Sequence, residues 1–405
     1  MGWVTEHHPT SAGLASCVQC GLCLPVCPTF RLTGRETASP RGRLQAMSAV
    51  NSGIAGVDAK FEEVIDFCLG CRACEPVCPG MVPYGSLLEG ARAEITVQRR
   101  SPGKRFRAVV LGRLIGSARL LSWLTAGLRL ATRVGLTKLA PGRFRRSLSG
   151  MRPLSRPSRS LPALSPGEGA TVGLLIGCVQ EQWFPDVNRA AHELLTKAGY
   201  DVVVPEGQTC CGALAAHDGH ADAAERLARV NDRTFGDCDL VVATAAGCSA
   251  HLADLSKGAR DITVMISTAI AEGRLPVVDQ DNGPIVIQDP CHLRHAQRVI
   301  EEPRRILRAA GYEVVELGDN GLCCGAAGLY TILEPDASAE LGARKASLVE
   351  ATGQHLVASA NPGCEMQLRS FLGSTYRIAH PIELYLEAIE GAATSTNVTR
   401  VEAGS

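Results

Sequence analysis

The chain has 405 residues, 45% apolar and 20% charged, enough for two to four domains with cores of their own. Lys plus Arg equals Asp plus Glu at 41 each, so net charge argues neither for a nucleic-acid partner nor for an acidic one. Seventeen cysteines would suggest a disulfide scaffold only in a short secreted chain, and here they fall at metal-type spacings. The first residues, Met1-Gly-Trp-Val-Thr-Glu-His-His8, lack the basic-then-apolar pattern of a signal peptide, so a reducing cytoplasm is the expected setting. No uncharged apolar run reaches the ~18 residues of a spanning helix.

Residues 1–100 are organised by two stretches fifty-one residues apart, Cys17-Val-Gln-Cys20-Gly-Leu-Cys23-Leu-Pro-Val-Cys27-Pro28 and Cys68-Leu-Gly-Cys71-Arg-Ala-Cys74-Glu-Pro-Val-Cys78-Pro79. Each spells C-x2-C-x2-C-x3-C-P, the spacing that wraps a cubane [4Fe–4S] cluster, and in paired motifs the fourth Cys ligates the other cluster. The expected sets are therefore Cys17, Cys20, Cys23 and Cys78 on one cluster, and Cys68, Cys71, Cys74 and Cys27 on the second. Structural zinc sites or disulfides are the competing reading, and two identical motifs leave it little room. Between the motifs lie Pro40-Arg-Gly-Arg43, a helix-like run through Met47 and Val50, and a helical stretch at Phe61–Phe67. So long and helical an insert resembles the all-helical ferredoxin module of respiratory iron–sulfur subunits.

Residues 101–169 read as a basic linker. Between Glu94 and Glu168 there is no Asp or Glu but 16 Lys and Arg. Apolar residues at helical spacing run from Phe106 to Val134, and 140–169 is rich in Pro, Ser and Arg and reads as extended. A basic amphipathic helix suits anionic lipid or an acidic partner. The alternative is a solvated helix packed across the two halves of the protein.

From Thr171 onward the chain repeats itself. One copy (170–280) carries Cys178, Cys210-Cys211-Gly212 and Cys248; the other (281–390) carries Cys291, Cys323-Cys324-Gly325 and Cys364. In both, 32 positions separate the first Cys from the double Cys. Each copy alternates strand and helix: Val172–Ile176, a helix near Val187–Ala198, Asp201–Val204, Ala221–Thr234 and Leu240–Ala243 in the first; Ile285–Ile287, Glu301–Ala310, Tyr312–Leu317, Ala337–Val349 and His355–Ala358 in the second. Two small α/β units with parallel strands follow, each cysteine lying just past a strand's C-terminal end, where open sheets bind ligands. Residues 391–405 are expected as a disordered tail.

Thiolates so gathered ligate soft metals or iron–sulfur clusters. The copies resemble the cysteine-rich CCG domains of heterodisulfide reductases, which hold noncubane [4Fe–4S] clusters. The fullest form of that motif has a fifth cysteine, where this chain has His251 in one copy and Gln367 in the other. A further iron–sulfur cluster, a zinc ion or a redox-active thiol pair all stay open for the four thiolates left in each copy, and His251 is a candidate substitute ligand. His292 and His295 are candidates for proton carriage or for orienting the site, against plain helix-start hydrogen bonding. Cys238 fits neither copy and reads as a buried structural thiol.

Taken whole, the chain resembles the iron–sulfur subunit of glycolate oxidase, through Cys17–Pro28, Pro40–Arg43, Cys68–Pro79 with Tyr84–Leu88, Asp289–Gln297, Cys323–Gly328 and Asn361–Cys364. Related families are the iron–sulfur subunits of anaerobic glycerol-3-phosphate dehydrogenase and the lactate-utilisation proteins. The resemblance implies an oxidoreductase subunit whose partner flavoprotein, with bound FAD, oxidises glycolate or a related 2-hydroxy acid. This chain would relay the electrons toward a quinone or membrane acceptor, at the inner face of the membrane. No Gly-x-Gly-x-x-Gly or Gly-x-x-x-x-Gly-Lys loop is present, and no residue is assigned a catalytic role.

Overall fold

A computed structural model describes residues 2–139, 142–153, 161–253 and 258–402. The N-terminal module is helical: α1 (Ser11–Ala15), α2 (Pro28–Thr33), α3 (Pro40–Asn51), α4 (Ala59–Asp66) and α5 (Tyr84–Gln98). Prolines at the first positions of α2 and α3 start helices where their missing N–H is harmless. Ser39 and Asp58 cap α3 and α4 by accepting from Gly42 N–H and Phe61 N–H. Leu44, Met47 and Val50, Phe61 and Ile65, and Leu87, Leu88, Ala91 and Ile95 form the core beneath the cysteines.

The linker folds as α6 (Pro102–Val109), a π-helical turn at Val110–Leu114, α7 (Ala118–Arg133) and α8 (Gly142–Ser149). The run expected as one helix over 106–134 is thus two helices, bent by 106°. The break falls at Gly116-Ser117, where Ser117 caps α7 by accepting from Leu120 N–H. The stretch expected as extended holds α8; its residues 154–160 lie outside the described ones. Arg152 pins the linker to the second unit through Glu365 (2.6 Å) and Glu383 (2.7 Å). Among the described residues no single helix is long and apolar enough to cross a membrane.

The first cysteine-rich unit contains β1 (Leu164–Ser165), β2 (Thr171–Leu175), α9 (Val179–Trp183), α10 (Pro185–Lys197), β3 (Asp201–Val203), α11 (Ala213–His217), α12 (Ala221–Thr234), β4 (Leu240–Ala243), α13 (Ala246–Leu252), β5 (Ala259–Asp261) and α14 (Ile262–Ala271). The second contains β6 (Pro284–Gln288), α15 (Glu301–Ala309), β7 (Glu313–Glu316), α16 (Tyr330–Leu333), α17 (Pro335–Glu350), β8 (Leu356–Ser359), α18 (Pro362–Leu372), β9 (Arg377–Ala379) and α19 (Pro381–Glu402).

The sheets run β1-β3-β2-β4-β5 and β7-β6-β8-β9, parallel throughout except for antiparallel β1. Without β1 the two orders are the same, so the repeat read from the cysteines is a repeat of topology. The units share one core: Ile306, Ile382 and Tyr385 pack with Val172, Leu174, Val202 and Ile266. The segment expected as a disordered tail continues α19 to Glu402; no proline follows Pro381 to stop the helix.

Candidate metal centres

The two cysteine motifs do not stay apart. Cys17, Cys20, Cys23 and Cys78 line one open cavity, together with Gln19, Gly21, Arg41, Cys74 and Tyr84. Cys27, Cys68, Cys71 and Cys74 line a second, so that Cys74 borders both. The fourth cysteine of each motif has thus crossed to the other's cavity. The first set opens to solvent, with Cys20 exposed, whereas all four cysteines of the second are buried.

Buried thiolates need compensating charge. Arg43 provides it on the second set. Its guanidinium is wholly buried and donates to Val64 O (2.8 Å), Ala38 O (2.9 Å) and Thr29 Oγ1 (3.2 Å). Among the described residues no carboxylate forms an ion pair with it. Burial lowers its pKa, but Cys68, Tyr84 and Cys27 more than offset this and hold it above the ordinary value. A buried cation facing cysteines in place of carboxylates fits an anionic group held by thiolates, as a [4Fe–4S] cluster is.

Cys68 receives Gly70 N–H (3.4 Å) and lies 3.6 Å from the Tyr84 hydroxyl. Burial works against its thiolate, but Arg43, Arg92 and these donors prevail and lower its pKa. Cys71 and Cys74 are pushed up, chiefly by burial, and Cys291 adds to the effect at Cys71.

That influence of Cys291 reflects where the second set sits. Leu69, Cys71 and Ala73 pack directly against Cys323, Tyr330 and Leu341 of the second cysteine-rich unit, with Cys291 alongside. Helix α5 makes the matching seam with the first unit. Arg92 donates to Cys68 O (2.5 Å) and His217 O (2.8 Å), Thr96 donates to Gly219 O (2.7 Å), and Glu89 meets His217 Nδ1 at 2.8 Å. None of these α5 residues was singled out from sequence, because their partners in the first unit lie more than a hundred residues away.

In the first unit Cys178 follows β2, Cys210 and Cys211 precede α11, and Cys248 lies in the first turn of α13 beyond β4. Their sulfurs approach in pairs, Cys178 to Cys210 at 3.4 Å and Cys211 to Cys248 at 3.1 Å. A tetrahedral metal with ~2.3 Å bonds spaces its sulfurs about 3.8 Å apart, so these thiols are gathered at the scale of one small centre. Among the described residues no three such groups form a closed shell for a metal ion. Thiol donation from Cys178 and Cys211 lowers the pKa of Cys210. Gly212 takes φ +96°, and a Cβ there would meet Ala224 O at 2.9 Å; Gly325 (φ +86°) repeats the feature against Ser338 O at 2.8 Å.

In the second unit Cys291, Cys323, Cys324 and Cys364 converge in the same way, the thiol of Cys323 lowering the pKa of both Cys291 and Cys324. Cys291 lies 3.5 Å from His292 Nδ1 and opens a π-helical turn, His292–Ala296, of the kind found at functional sites. His295 donates to Gly321 O (3.0 Å), bracing the loop ahead of Cys323. In the Asp-Pro-Cys-His stretch, Asp289 is a buried anchor for Arg294 (2.6 Å) and Arg304 (3.0 Å). Gln297 crosses to the first unit, donating to Ala246 O (3.1 Å) and Ser249 Oγ (3.0 Å) on the helix that bears Cys248. The two four-cysteine sites therefore sit on facing edges.

Gln367, at the position of a fifth cysteine, donates to Ser338 O (3.1 Å), beside the Cys324-Gly325 turn. His251 is close enough to favour the Cys210 thiolate, and its ring lies 6.5 Å from that of His217. Cys238 is buried in the first unit's core with Phe235 and Val241.

Residues 13–82 match the family model for a 4Fe-4S dicluster domain, and residues 172–253 and 285–369 each match that for a cysteine-rich domain. The chain is 34% identical to the probable glycolate oxidase iron-sulfur subunit of Bacillus subtilis and 30% identical to the glycolate oxidase iron-sulfur subunit of Escherichia coli, each over 93% of this chain and 94% of the relative. It is 26% identical to a fumarate reductase (CoM/CoB) subunit of Methanothermobacter marburgensis, over 91% of this chain and 70% of the relative. Two cavities lined by crossed cysteine motifs and two facing cysteine-rich units are thus the frame of a [4Fe–4S] protein, and the chain belongs to the family of glycolate oxidase iron–sulfur subunits.

Proposed function

We propose that this chain is the electron-transfer subunit of a glycolate (2-hydroxy acid) oxidase or dehydrogenase. It takes electrons from a partner subunit with bound FAD and passes them toward a quinone or other membrane acceptor, at the inner face of the membrane. Substrate oxidation belongs to the flavoprotein, and the hydroxy acid is chosen there. Cys17, Cys20, Cys23 and Cys78 are assigned to one [4Fe–4S] cluster, and Cys27, Cys68, Cys71 and Cys74 to the other. A bound [4Fe–4S] cluster supplies one-electron uptake and release. The remaining eight repeat cysteines are assigned to two further centres, iron–sulfur or zinc.

The observation that carries this reading is the packing of Leu69, Cys71 and Ala73 against Cys323 and Tyr330, with Cys291 alongside. It supports an order in space: a solvent-facing cysteine set able to meet a partner, a buried set behind it, then the paired cysteine-rich sites. A heterodisulfide-reductase-like catalytic role is disfavoured by Gln367, whose amide is committed to Ser338.

The test is anaerobic reconstitution with the co-purifying flavoprotein. Glycolate is expected to bleach the visible absorbance of the clusters only when both chains are present, and lactate serves as the comparison substrate. Reduction of a disulfide by the isolated chain would overturn the relay.

A further inference from the structure

Helix α7 is inside out by the standard of a soluble domain. Leu121 and Thr125 face inward, and Thr125 Oγ1 accepts from Trp183 Nε1–H (3.3 Å) on α9, the helix that opens directly after Cys178. The opposite face is the apolar one. Trp123 is 78% exposed, Leu130 63%, Val134 61%, Leu124 49% and Leu120 46%. At 100° per residue, positions 120, 123, 124, 127, 130, 131 and 134 share one face about 120° wide, and every one is apolar or glycine. Arg119 and Arg133 are exposed and flank this face on one side, where long cationic side chains can lie alongside an apolar layer and keep their heads in water.

Three observations choose the occupant. From 95 to 167 the chain has 16 Lys and Arg and no acid. Arg99, Lys104, Arg107 and Arg152 pair with carboxylates inside the fold, while Arg119 and Arg133, exposed beside the face, favour a cover that carries negative charge. Sixteen residues of helix span about 24 Å, short of a ~30 Å hydrocarbon layer, which leaves the helix to lie in the plane of a surface. Trp123, the most exposed residue of the face, is the residue type that settles at a membrane–water boundary. We propose that α7, through Val134, is an in-plane membrane anchor that binds bilayers containing anionic lipid. Its purpose, holding the Cys178 end of the molecule near a membrane acceptor, rests on the relay reading; the binding itself does not.

Vesicle co-sedimentation of the full cluster-loaded chain tests this, using phosphatidylglycerol–phosphatidylcholine vesicles against phosphatidylcholine alone. The chain is expected to sediment with the anionic vesicles and to be released by salt. Trp123→Ser with Leu124→Ser should lower partitioning about tenfold or more, and Leu130→Glu should do the same by a different chemistry. Arg119→Gln with Arg133→Gln should remove most of the preference for anionic lipid. Unchanged cluster absorbance in each variant shows that it has folded. Failure of the parent chain to bind anionic vesicles, or equal binding by parent and variants, overturns the anchor. So does loss of a self-associated or flavoprotein complex in Trp123→Ser with Leu124→Ser while vesicle binding persists, because the face then covers protein. Glycolate-driven reduction of a water-soluble dye by the two-subunit complex is read in parallel: dye reduction without vesicle binding sinks the anchor and leaves the relay, and the reverse result sinks the relay alone.

Discussion

The Tyr330 hydroxyl donates to the carbonyl of Phe67 across 3.2 Å, tying the second cysteine-rich unit to the residue just ahead of Cys68. Tyr330 is buried and sits in the contact that also holds Leu69, Cys71, Cys323 and Leu341. The bond joins two modules, so its loss is felt as loosened docking. Tyr330→Phe is expected to cost about 1 kcal/mol, the net worth of one buried hydrogen bond, and Tyr330→Ala about 3 kcal/mol or more as a cavity opens. Denaturant unfolding gives the magnitudes. Hydrogen exchange should show faster opening at 67–73 and 323–333 in the alanine variant; protection unchanged there would mean that this seam is not what holds the modules together.

Arg43 should set the potential of one cluster and not of the other. Its buried charge lies beside Cys68 and Cys27, whereas the Cys17–Cys78 cavity is lined by Arg41 and does not include Arg43. A cation next to the second set favours the more negative, reduced state. Arg43→Gln is therefore expected to lower one midpoint potential on the order of 100 mV, with the other little changed. Redox titration followed by electron paramagnetic resonance reads both. Equal shifts in the two would show that the arginine acts through the fold and not through its charge.

Crossed ligation makes a prediction that separate ligation does not. Cys78→Ser should remove the same signal as Cys20→Ser, and Cys27→Ser the same signal as Cys71→Ser. The exposed Cys20 set should also be lost first on exposure to oxidants, because access governs thiolate oxidation. If Cys78→Ser and Cys71→Ser remove one and the same signal, each motif holds its own cluster and the crossed assignment is wrong.

What could be read beforehand was whatever is local in the chain. The cysteine spacings were legible because ligation needs short gaps, and α12 and β4 begin and end on the residues expected, Ala221–Thr234 and Leu240–Ala243. Strands β5 and β9 were not legible: Ala259–Asp261 and Arg377–Ala379 carry no apolar run like the Val202–Val204 that marked equally short β3. The break between α6 and α7 was hidden because the apolar spacing continues across Gly116-Ser117. The seams were invisible for a different reason. Glu89 and His217 are 128 residues apart, Arg92 and the His217 carbonyl 125, and only the folded chain brings them together. Direction was the last thing missing: the sequence shows that Gln367 stands where a fifth cysteine would, but which partner its amide takes depends on Ser338, 29 residues earlier.

His380 gives the fold an acid-labile point. It is fully buried at the N-terminus of α19, where Nδ1 accepts from Ile382 N–H (3.3 Å), while Arg152 and Glu383 lie beside it. Burial keeps the ring neutral and pushes its pKa down to about 4, with Glu383 only partly offsetting this. An unfolded chain takes up the proton near pH 6.5, the folded chain only near pH 4, so the stabilising contribution is present above pH 6.5 and is lost as pH falls toward 4. The full loss is about 3 kcal/mol for a shift of this size. His380→Asn keeps an acceptor for the helix N–H and has nothing to titrate, so its stability should vary less across this window than that of the parent chain. Unfolding free energies measured at intervals from pH 7 to pH 4 decide it. Parallel curves for parent and variant would assign the acid sensitivity to other groups and leave His380 a packing residue only.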